Sequence, residues 1–499
     1  MKLGSYLSLL RDHGLVKTVP EEMPSGKEVR AISYNSQDVR EDTLFVCKGA
    51  AFRKEYLLAA AETGAFAYVS ETDYRIPGLP ALIVNDIRKA MTVIAKAFYA
   101  VPEEEMNIIG VTGTKGKTTT CFYMKQILDA YNESSGEEAA AILTSIEIFD
   151  GIQTVPSSNT TPEIFEGYSH LKNAYDSGIR DVVMEVSSQG LKYGRVDGIT
   201  FNTAVFLNIS PDHISPIEHP DEEDYLRSKL KIFRQCRNAV INLDCDHSDE
   251  VIRASINAEA VYTYSESQRA DFMIADLREE GGHVFFTFCG EDREIPFELG
   301  MRGAYNAENA AAAIIAARLQ GIPYEIMQEA LRKASVPGRG ESFSTADGRI
   351  KAIVDYAHNE VSCRAVLLSA RNEFPDRKII SVFGCPGGKG LNRREGMGKA
   401  ISELSDRIYL TADDPAGESV EEICREIADN IEGCPYRIVP DREEAIAEAF
   451  GEAEGSSVIM VLGKGCETAQ KVGKQNVFYR SDAVNVAECI QRYNNEHSN

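Results

Sequence analysis

The sequence predicts an α/β protein of three domains, built on mostly parallel sheets covered by helices on both faces. Three observations carry that expectation. Short apolar runs recur along the chain, each closed by polar or glycine-rich residues and most followed by a helical stretch. One run opens into a glycine-rich loop, "TGTKGKTTT" (112–120), in the strand–loop–helix setting that a phosphate loop needs. Two breaks, "FYAVPEEEMN" (98–107) and "SVPGRGE" (335–341), divide 499 residues, enough for roughly three ordinary domains.

In chain order, "MKLGSYLSLLRDHG" reads as an amphipathic helix. Arg11 and Asp12 break its apolar stretch and no small-residue cleavage site follows, so a signal peptide is not expected. "TLFVCKG" (43–49) and "ALIVND" (81–86) read as strands, and "YLLAAAETGA" (56–65) as a helix stopped by Gly64. These form a small N-terminal α/β domain, residues 1–100. "NIIGVTG", "AAAILTSIEIF" (139–149), "DVVMEVSS", "TAVFLNIS" and "NAVINLD" are strands of a central phosphate-loop domain, residues 101–336, which also holds the alanine-rich helix "AENAAAAIIAARLQG". After the Pro/Gly break the rhythm restarts with "IKAIVDYAH", "KIISVFGCPGG", "RIYLTADDP" and "SSVIMVLGKGCE", a Rossmann-like C-terminal domain, residues 337–499.

A net charge of −24 argues against a nucleic-acid partner, which needs clustered Lys and Arg. No stretch of 18 consecutive apolar residues is present, so no membrane span is expected. The 11 cysteines are scattered without a C-x-x-C pair, which suits reduced thiols in a cytoplasm.

The glycine-rich loop departs from the strict G-x-x-x-x-G-K-[ST] spacing. Gly116, Lys117 and Thr118 are in place, but position 111 is valine and the first glycine is Gly113. The two glycines let backbone N–H groups turn toward an anion, Lys117 reaches the β- and γ-phosphates, and the Thr118 hydroxyl can ligate Mg²⁺. Glu185 ends an apolar strand, where a carboxylate is costly unless it meets a cation; a metal is a natural partner. His213 in "NISPDH" and Lys229 in "YLRSKLKIF" read as ordinary residues when taken alone. His358, Asn359, Lys389, Asp413 and Asp414 close C-terminal strands, where open α/β sheets bind ligands.

Together these segments resemble the Mur ligases, the ATP-dependent amide-bond synthetases of peptidoglycan assembly. The shifted loop is followed in order by "NTTPE", "MEVSSQGLKYGRVDGITF", "NISPDH", "YLRSKLKIF", "GAYNAENAAAA", "GRGE", "DYAHN" and "LGKGCE". The resemblance spans essentially the whole chain and is strongest to the members that add the third residue of the muramoyl peptide. It implies that Ser36, in "YNSQDVREDTLFVCKG", helps hold the uridine diphosphate. Thr160, Thr161, Ser188 and Arg195 would bind the muramoyl dipeptide. Gly113, Thr114, Lys115, Gly116, Lys117, Thr118 and Thr119 would grip ATP, with Asn306, Asn309, Arg339, Asp355 and His358 lining its site. Thr118, Glu185 and His213 would ligate Mg²⁺, joined by Lys229, the lysine that this family carbamylates with CO₂ to N6-carboxylysine. The implied reaction is attack of a substrate carboxylate on the γ-phosphate, then of an amine on the acyl phosphate; Lys117, Glu185, His213 and Lys229 are its catalytic set. A cytoplasmic monomer without nucleic-acid or membrane partners is expected.

The added amino acid is read from "DDPA" (413–416). Members that add meso-diaminopimelate carry Asp-Asn-Pro-Arg, the arginine clamping the extra carboxylate. Here Ala416 replaces it. Asp413, Asp414 and Glu467 then form an acidic pocket with no compensating cation, which predicts L-lysine. Ornithine remains open, as does diaminopimelate if Arg393 or Arg394 substitutes. So do a folate-type ligase and a nucleotide-binding regulator that kept the fold but lost catalysis. Departures from the family pattern are "NSQ" at the uridine site, Glu360 where proline is common, the altered loop "FGCPGGKGLNRR", and Cys466 where histidine is usual.

Overall fold

The computed structural model describes residues 1–19, 23–49, 52–210, 214–215, 218–453 and 455–497. The chain forms two compact units, Met1–Asp271 with Ala312–Ile322, and Phe272–Ala311 with Pro323–Asn499. The α/β class expected from the sequence is the class observed.

In the first unit the opening helix, Leu3–Asp12, buries Leu3, Tyr6, Leu7 and Leu10 on one face, as its amphipathic pattern requires. A five-stranded sheet follows, ordered Val16–Thr18, Ala81–Val84, Ala65–Ser70, Thr43–Val46, Ala31–Ser33, parallel except at the first pair. Two of these strands are apparent in the sequence. The three-residue ones are too short to show a period, and Ala65–Ser70 begins at a residue that reads as the end of the preceding helix.

The larger sheet of this unit has six parallel strands: Ala260–Ser265, Cys236–Asn242, Phe201–Phe206, Asn107–Thr112, Asp181–Glu185 and Ala141–Leu143. Asn107–Thr112 lies between Phe201–Phe206 and Asp181–Glu185, so the strand order reverses beside it, and the carboxyl end at such a switch point is where open α/β sheets bind ligands. One core runs through both sheets, from Leu3 to Val251. "AAAILTSIEIF" is not the single strand expected. It bends at Thr144–Ile146 into an antiparallel hairpin, Ala141–Leu143 against Glu147–Phe149. The bend turns the Ser145 N–H and hydroxyl onto Glu185, at 3.0 and 3.1 Å, which straight pairing would not allow.

The second unit opens with three antiparallel strands, Phe272–Glu280, His283–Gly290 and Arg293–Leu299, covered by the helix Tyr324–Arg332. Its main sheet is ordered Glu341–Ser344, Ile350–Asp355, Ser457–Leu462, Lys378–Phe383, Arg407–Leu410, Tyr436–Ile438, parallel except at the first pair. A separate apolar core packs on each face. Ser457–Leu462 inserts between Ile350–Asp355 and Lys378–Phe383, and the loops after the parallel strands carry the C-terminal candidate residues.

Candidate active site

The strand Asn107–Thr112 ends in the loop Gly113–Gly116, and the helix Lys117–Ser135 starts at once. Position 111 needs no glycine because Val111 is still inside the sheet and fully buried. Gly113 is required by close approach: a Cβ there would meet the Leu207 Cβ at 3.0 Å and the Lys115 carbonyl oxygen at 3.2 Å. Gly116 has φ +83°, a left-handed conformation costly for other residues. Asn208 braces the loop. Its Oδ1 accepts from the N–H groups of Thr114 (3.0 Å) and Lys115 (2.9 Å), and its Nδ2 donates to the Lys115 carbonyl (3.2 Å). Tyr225 OH lies 3.1 Å from the Thr114 hydroxyl.

Lys117 donates to the Gly113 and Thr114 carbonyls at 3.0 and 3.1 Å, and Lys229 to the same Gly113 carbonyl at 2.7 Å. Lys229 is only 1% exposed, from the helix Glu222–Leu230, with its ammonium 4.6 Å from the Tyr225 ring centre. Glu185, also 1% exposed, ends the neighbouring strand. The Thr118 and Glu185 side chains meet at one hydroxyl: Ser145 Oγ is 3.2 Å from Thr118 Oγ1 and 3.1 Å from Glu185 Oε1. An oxygen set of this kind suits a hard cation. Thr119 is buried in the first helical turn. His213 lies outside the described residues. Among the described residues no three His, Cys, Asp or Glu side chains cluster as a metal site.

Beside the loop, the Thr161 hydroxyl donates to the Glu185 carbonyl (3.0 Å) and accepts from the Ser187 N–H (2.9 Å), so Thr161 and the Ser187–Ser188 turn are locked together. Thr160 is half-buried next to it. Arg195 reaches Glu163 at 3.1 Å and the Thr161 carbonyl at 3.1 Å. Lys48 (2.5 Å) and Arg88 (3.5 Å) meet the same Glu163 carboxylate. Burial pushes that carboxyl up, but Lys48, Arg195 and Arg88 bring it below its ordinary range. Three cations on one carboxylate leave an excess of positive charge, suited to an anionic substrate. Ser36 sits in the turn 35–38, held by Asn35 to Asp38 at 2.8 Å. Tyr34, from the same segment, donates to Glu166 at 2.5 Å.

In the second unit Asp355 accepts from the N–H groups of Gly340 (2.7 Å) and Ala357 (2.8 Å). Burial still pushes its carboxyl up, against Arg339. The Arg339 guanidinium stacks 4.3 Å from the Tyr356 ring centre, and His358 Nδ1 donates to the Tyr356 carbonyl at 2.7 Å. Asn306 and Asn309 are buried and paired at 3.0 Å. Glu360 takes the first position of the helix Glu360–Glu373 behind the Asn359 cap, a place that favours proline or an acid, which explains that departure.

The acidic pocket requires a correction. It contains a compensating cation, Lys464, fully buried, whose ammonium binds Asp414 at 2.9 Å and Glu467 at 2.8 Å. Burial raises the Asp414 carboxyl, but Lys464 outweighs it and holds the group below its ordinary range. Asp413 is pushed up to about 6 by burial, although Lys464 and Arg442 pull it down. Asp413, Asp414 and Glu467 all act on the Lys464 ammonium, while Lys389 also acts on Asp414. Arg394 is consumed by Glu418 and Glu426, at 2.7 and 2.5 Å.

Sequence reasoning assigned no role to Ser145, Asn208, Tyr225, Lys48, Arg88, Glu163, His219, Asp224 or Lys464. Most lie inside recognisable motif segments. Nothing local distinguishes a lysine that reaches a distant carboxylate from a solvated one.

A phosphate loop at a switch point, flanked by a buried lysine and carboxylate, defines the class: a P-loop α/β protein. Residues 111–317 match the Mur ligase middle domain and residues 338–465 the Mur ligase glutamate ligase domain. The UDP-N-acetylmuramyl-tripeptide synthetase of Lactobacillus delbrueckii subsp. bulgaricus is 36% identical, over 98% of this chain and 99% of the relative. The UDP-N-acetylmuramoyl-L-alanyl-D-glutamate–L-lysine ligase of Enterococcus faecalis is 36% identical, over 94% and 93%. A solved UDP-N-acetylmuramoyl-L-alanyl-D-glutamate–2,6-diaminopimelate ligase superposes with TM-score 0.68 at 25% identity, covering 99% of both chains. MurF ligase from Thermotoga maritima, solved with ADP, shares the fold (TM-score 0.62, 19% identity, 94% and 98% covered). The chain belongs to the Mur ligase family and is an ATP-dependent, amide-bond-forming ligase.

Proposed function

We propose that this ligase joins L-lysine to UDP-N-acetylmuramoyl-L-Ala-D-Glu through an acyl phosphate, acting in the cytoplasm as a monomer with domain limits at 1–100, 101–336 and 337–499. The observation that carries the choice of amino acid is the grouping of three carboxylates, Asp413, Asp414 and Glu467, about the buried ammonium of Lys464. It attracts a side chain ending in an ammonium. With Ala416 in the arginine position and Arg394 already paired, neither of these positions offers a guanidinium to a second side-chain carboxylate. Kinship to an L-lysine ligase supports the same choice.

The loop Gly113–Thr119 cradles the ATP phosphates, and Lys117 exchanges its loop carbonyls for phosphate oxygens. Asn306, Asn309, Arg339, Asp355 and His358 hold the rest of the nucleotide. Thr160, Thr161, Ser188 and Arg195 hold the muramoyl dipeptide, and Ser36 its uridine diphosphate. Thr118, Glu185, His213 and Lys229 are the residues that would hold Mg²⁺, which when bound offsets the charge of two approaching anions. An unmodified Lys229 can only donate; as N6-carboxylysine it offers oxygens instead. It also removes one of two ammonium groups crowded on the Gly113 carbonyl.

The test is phosphate release from ATP with the muramoyl dipeptide and each of L-lysine, L-ornithine and meso-diaminopimelate. L-Lysine should be preferred by at least about tenfold in kcat/KM. Faster turnover with meso-diaminopimelate overturns the assignment.

A further inference from the structure

We infer that His219 and Asp224 are positioning residues that fix the direction of the Ser188 hydroxyl, leaving its oxygen as the acceptor for a peptide N–H of the muramoyl dipeptide. The inference rests on the proposed role of Ser188 in binding that substrate.

Ser188 opens the short helix Ser188–Lys192, behind the Ser187 cap, which accepts from the Gly190 N–H at 3.0 Å. His219 Nε2 lies 3.0 Å from Ser188 Oγ, and His219 Nδ1 lies 2.6 Å from Asp224 Oδ2. Lys192 donates to that same Oδ2 at 2.6 Å and to the Glu218 carbonyl at 2.9 Å. The His219 ring is fully buried, with the Tyr225 ring 5.1 Å away.

The direction follows from the donors. Asp224 is held ionised, first by Lys192 and then by His219, and a carboxylate only accepts. The proton of the imidazole therefore sits on Nδ1. With its proton on Nδ1 toward Asp224, this tautomer leaves Nε2 as the ring nitrogen facing Ser188 Oγ, 3.0 Å away. Nε2 then presents a lone pair, and the Ser188 O–H donates into it. A hydroxyl committed this way cannot also donate to a substrate carboxylate. Its lone pairs face an N–H instead, leaving the carboxylate to Arg195.

The test compares the natural substrate with its ester analogue, UDP-N-acetylmuramoyl-L-alanyl-D-2-hydroxyglutarate, in which oxygen replaces the D-glutamyl N–H. The unaltered chain should show about a tenfold higher KM for the ester, with the KM for ATP unchanged. His219→Leu and Ser188→Ala should bind amide and ester within about threefold of each other. His219→Gln, which keeps an acceptor within reach, should restore the gap. Equal KM values for the unaltered chain, or a tenfold gap persisting in either His219→Leu or Ser188→Ala, overturn the inference. If His219→Leu does not fold, Ser188→Ala decides alone. Failure of the unaltered chain to incorporate lysine into the amide substrate overturns the functional proposal itself, an outcome distinct from these.

Discussion

Lys117 and Lys229 aim two ammonium groups at one carbonyl oxygen, that of Gly113, at 3.0 and 2.7 Å. An incoming anion, or conversion of one lysine to a carbamate, lowers the positive charge gathered there. Lys117→Ala should therefore lower kcat for ligation by at least about 100-fold while the fold, checked by circular dichroism, is retained. Asp413 gives a second expectation at this scale. Burial lifts its carboxyl to about 6, so it is protonated below that pH and charged above it. As pH rises through about 6 the acceptor pocket gains a negative charge, and the KM for L-lysine should fall. Asp413→Asn should flatten that dependence, measured over about pH 5–7.5 at saturating ATP.

At the scale of elements, the helices Arg442–Gly451 and Asp482–Glu496 are joined by a buried ion pair. Arg442 donates to both oxygens of Asp482, at 2.8 and 2.7 Å, and to the Ala412 and Leu462 carbonyls, at 3.1 and 2.8 Å. Leu462 ends the strand before Lys464, and Ala412 directly precedes Asp413, just past the strand Arg407–Leu410. Arg442→Met leaves the Asp482 charge buried without its partner and should destabilise the second unit by about 3–5 kcal/mol in urea denaturation. The hairpin at Ser145 teaches a related lesson. "AAAILTSIEIF" has the composition of one strand, and a bend at a threonine and a serine carries little local signal. It forms because the buried Glu185 carboxylate needs donors, and the nearest are the N–H and hydroxyl of Ser145.

At the scale of the whole molecule, a ligand that binds only the folded chain raises its unfolding temperature. A non-hydrolysable ATP analogue at about 100 times its Kd should stabilise the folded chain by about 2.7 kcal/mol, read by calorimetry. Its transition should therefore move upward, and Lys117→Ala should abolish the shift. A transition that the ligand leaves in place would contradict the assignment of the nucleotide to the loop Gly113–Thr119.

Much of this architecture was legible in the sequence because the apolar runs of the parallel strands, though short, are continuous and closed by polar or glycine-rich residues. The antiparallel strands 272–299 were not, although Phe272–Glu280 alternates buried and exposed positions as a half-solvated strand does. Their period is two, so they lack the continuous apolar runs that mark the parallel strands. Of the site, the sequence by itself determined the phosphate loop, its shifted glycine, and the order of motifs that places the chain among Mur ligases. Those are properties of contiguous residues, which local backbone geometry and a strand–helix junction suffice to interpret. Only the tertiary structure decided what stands between them. It put Asn208 behind the loop, gathered Lys48 and Arg88 on Glu163, linked Ser188 to His219 and Asp224, and placed Lys464 inside the pocket taken to lack a cation. These partners are brought together by sheet order and by the cost of burying an unpaired charge, neither of which spacing along the chain can record.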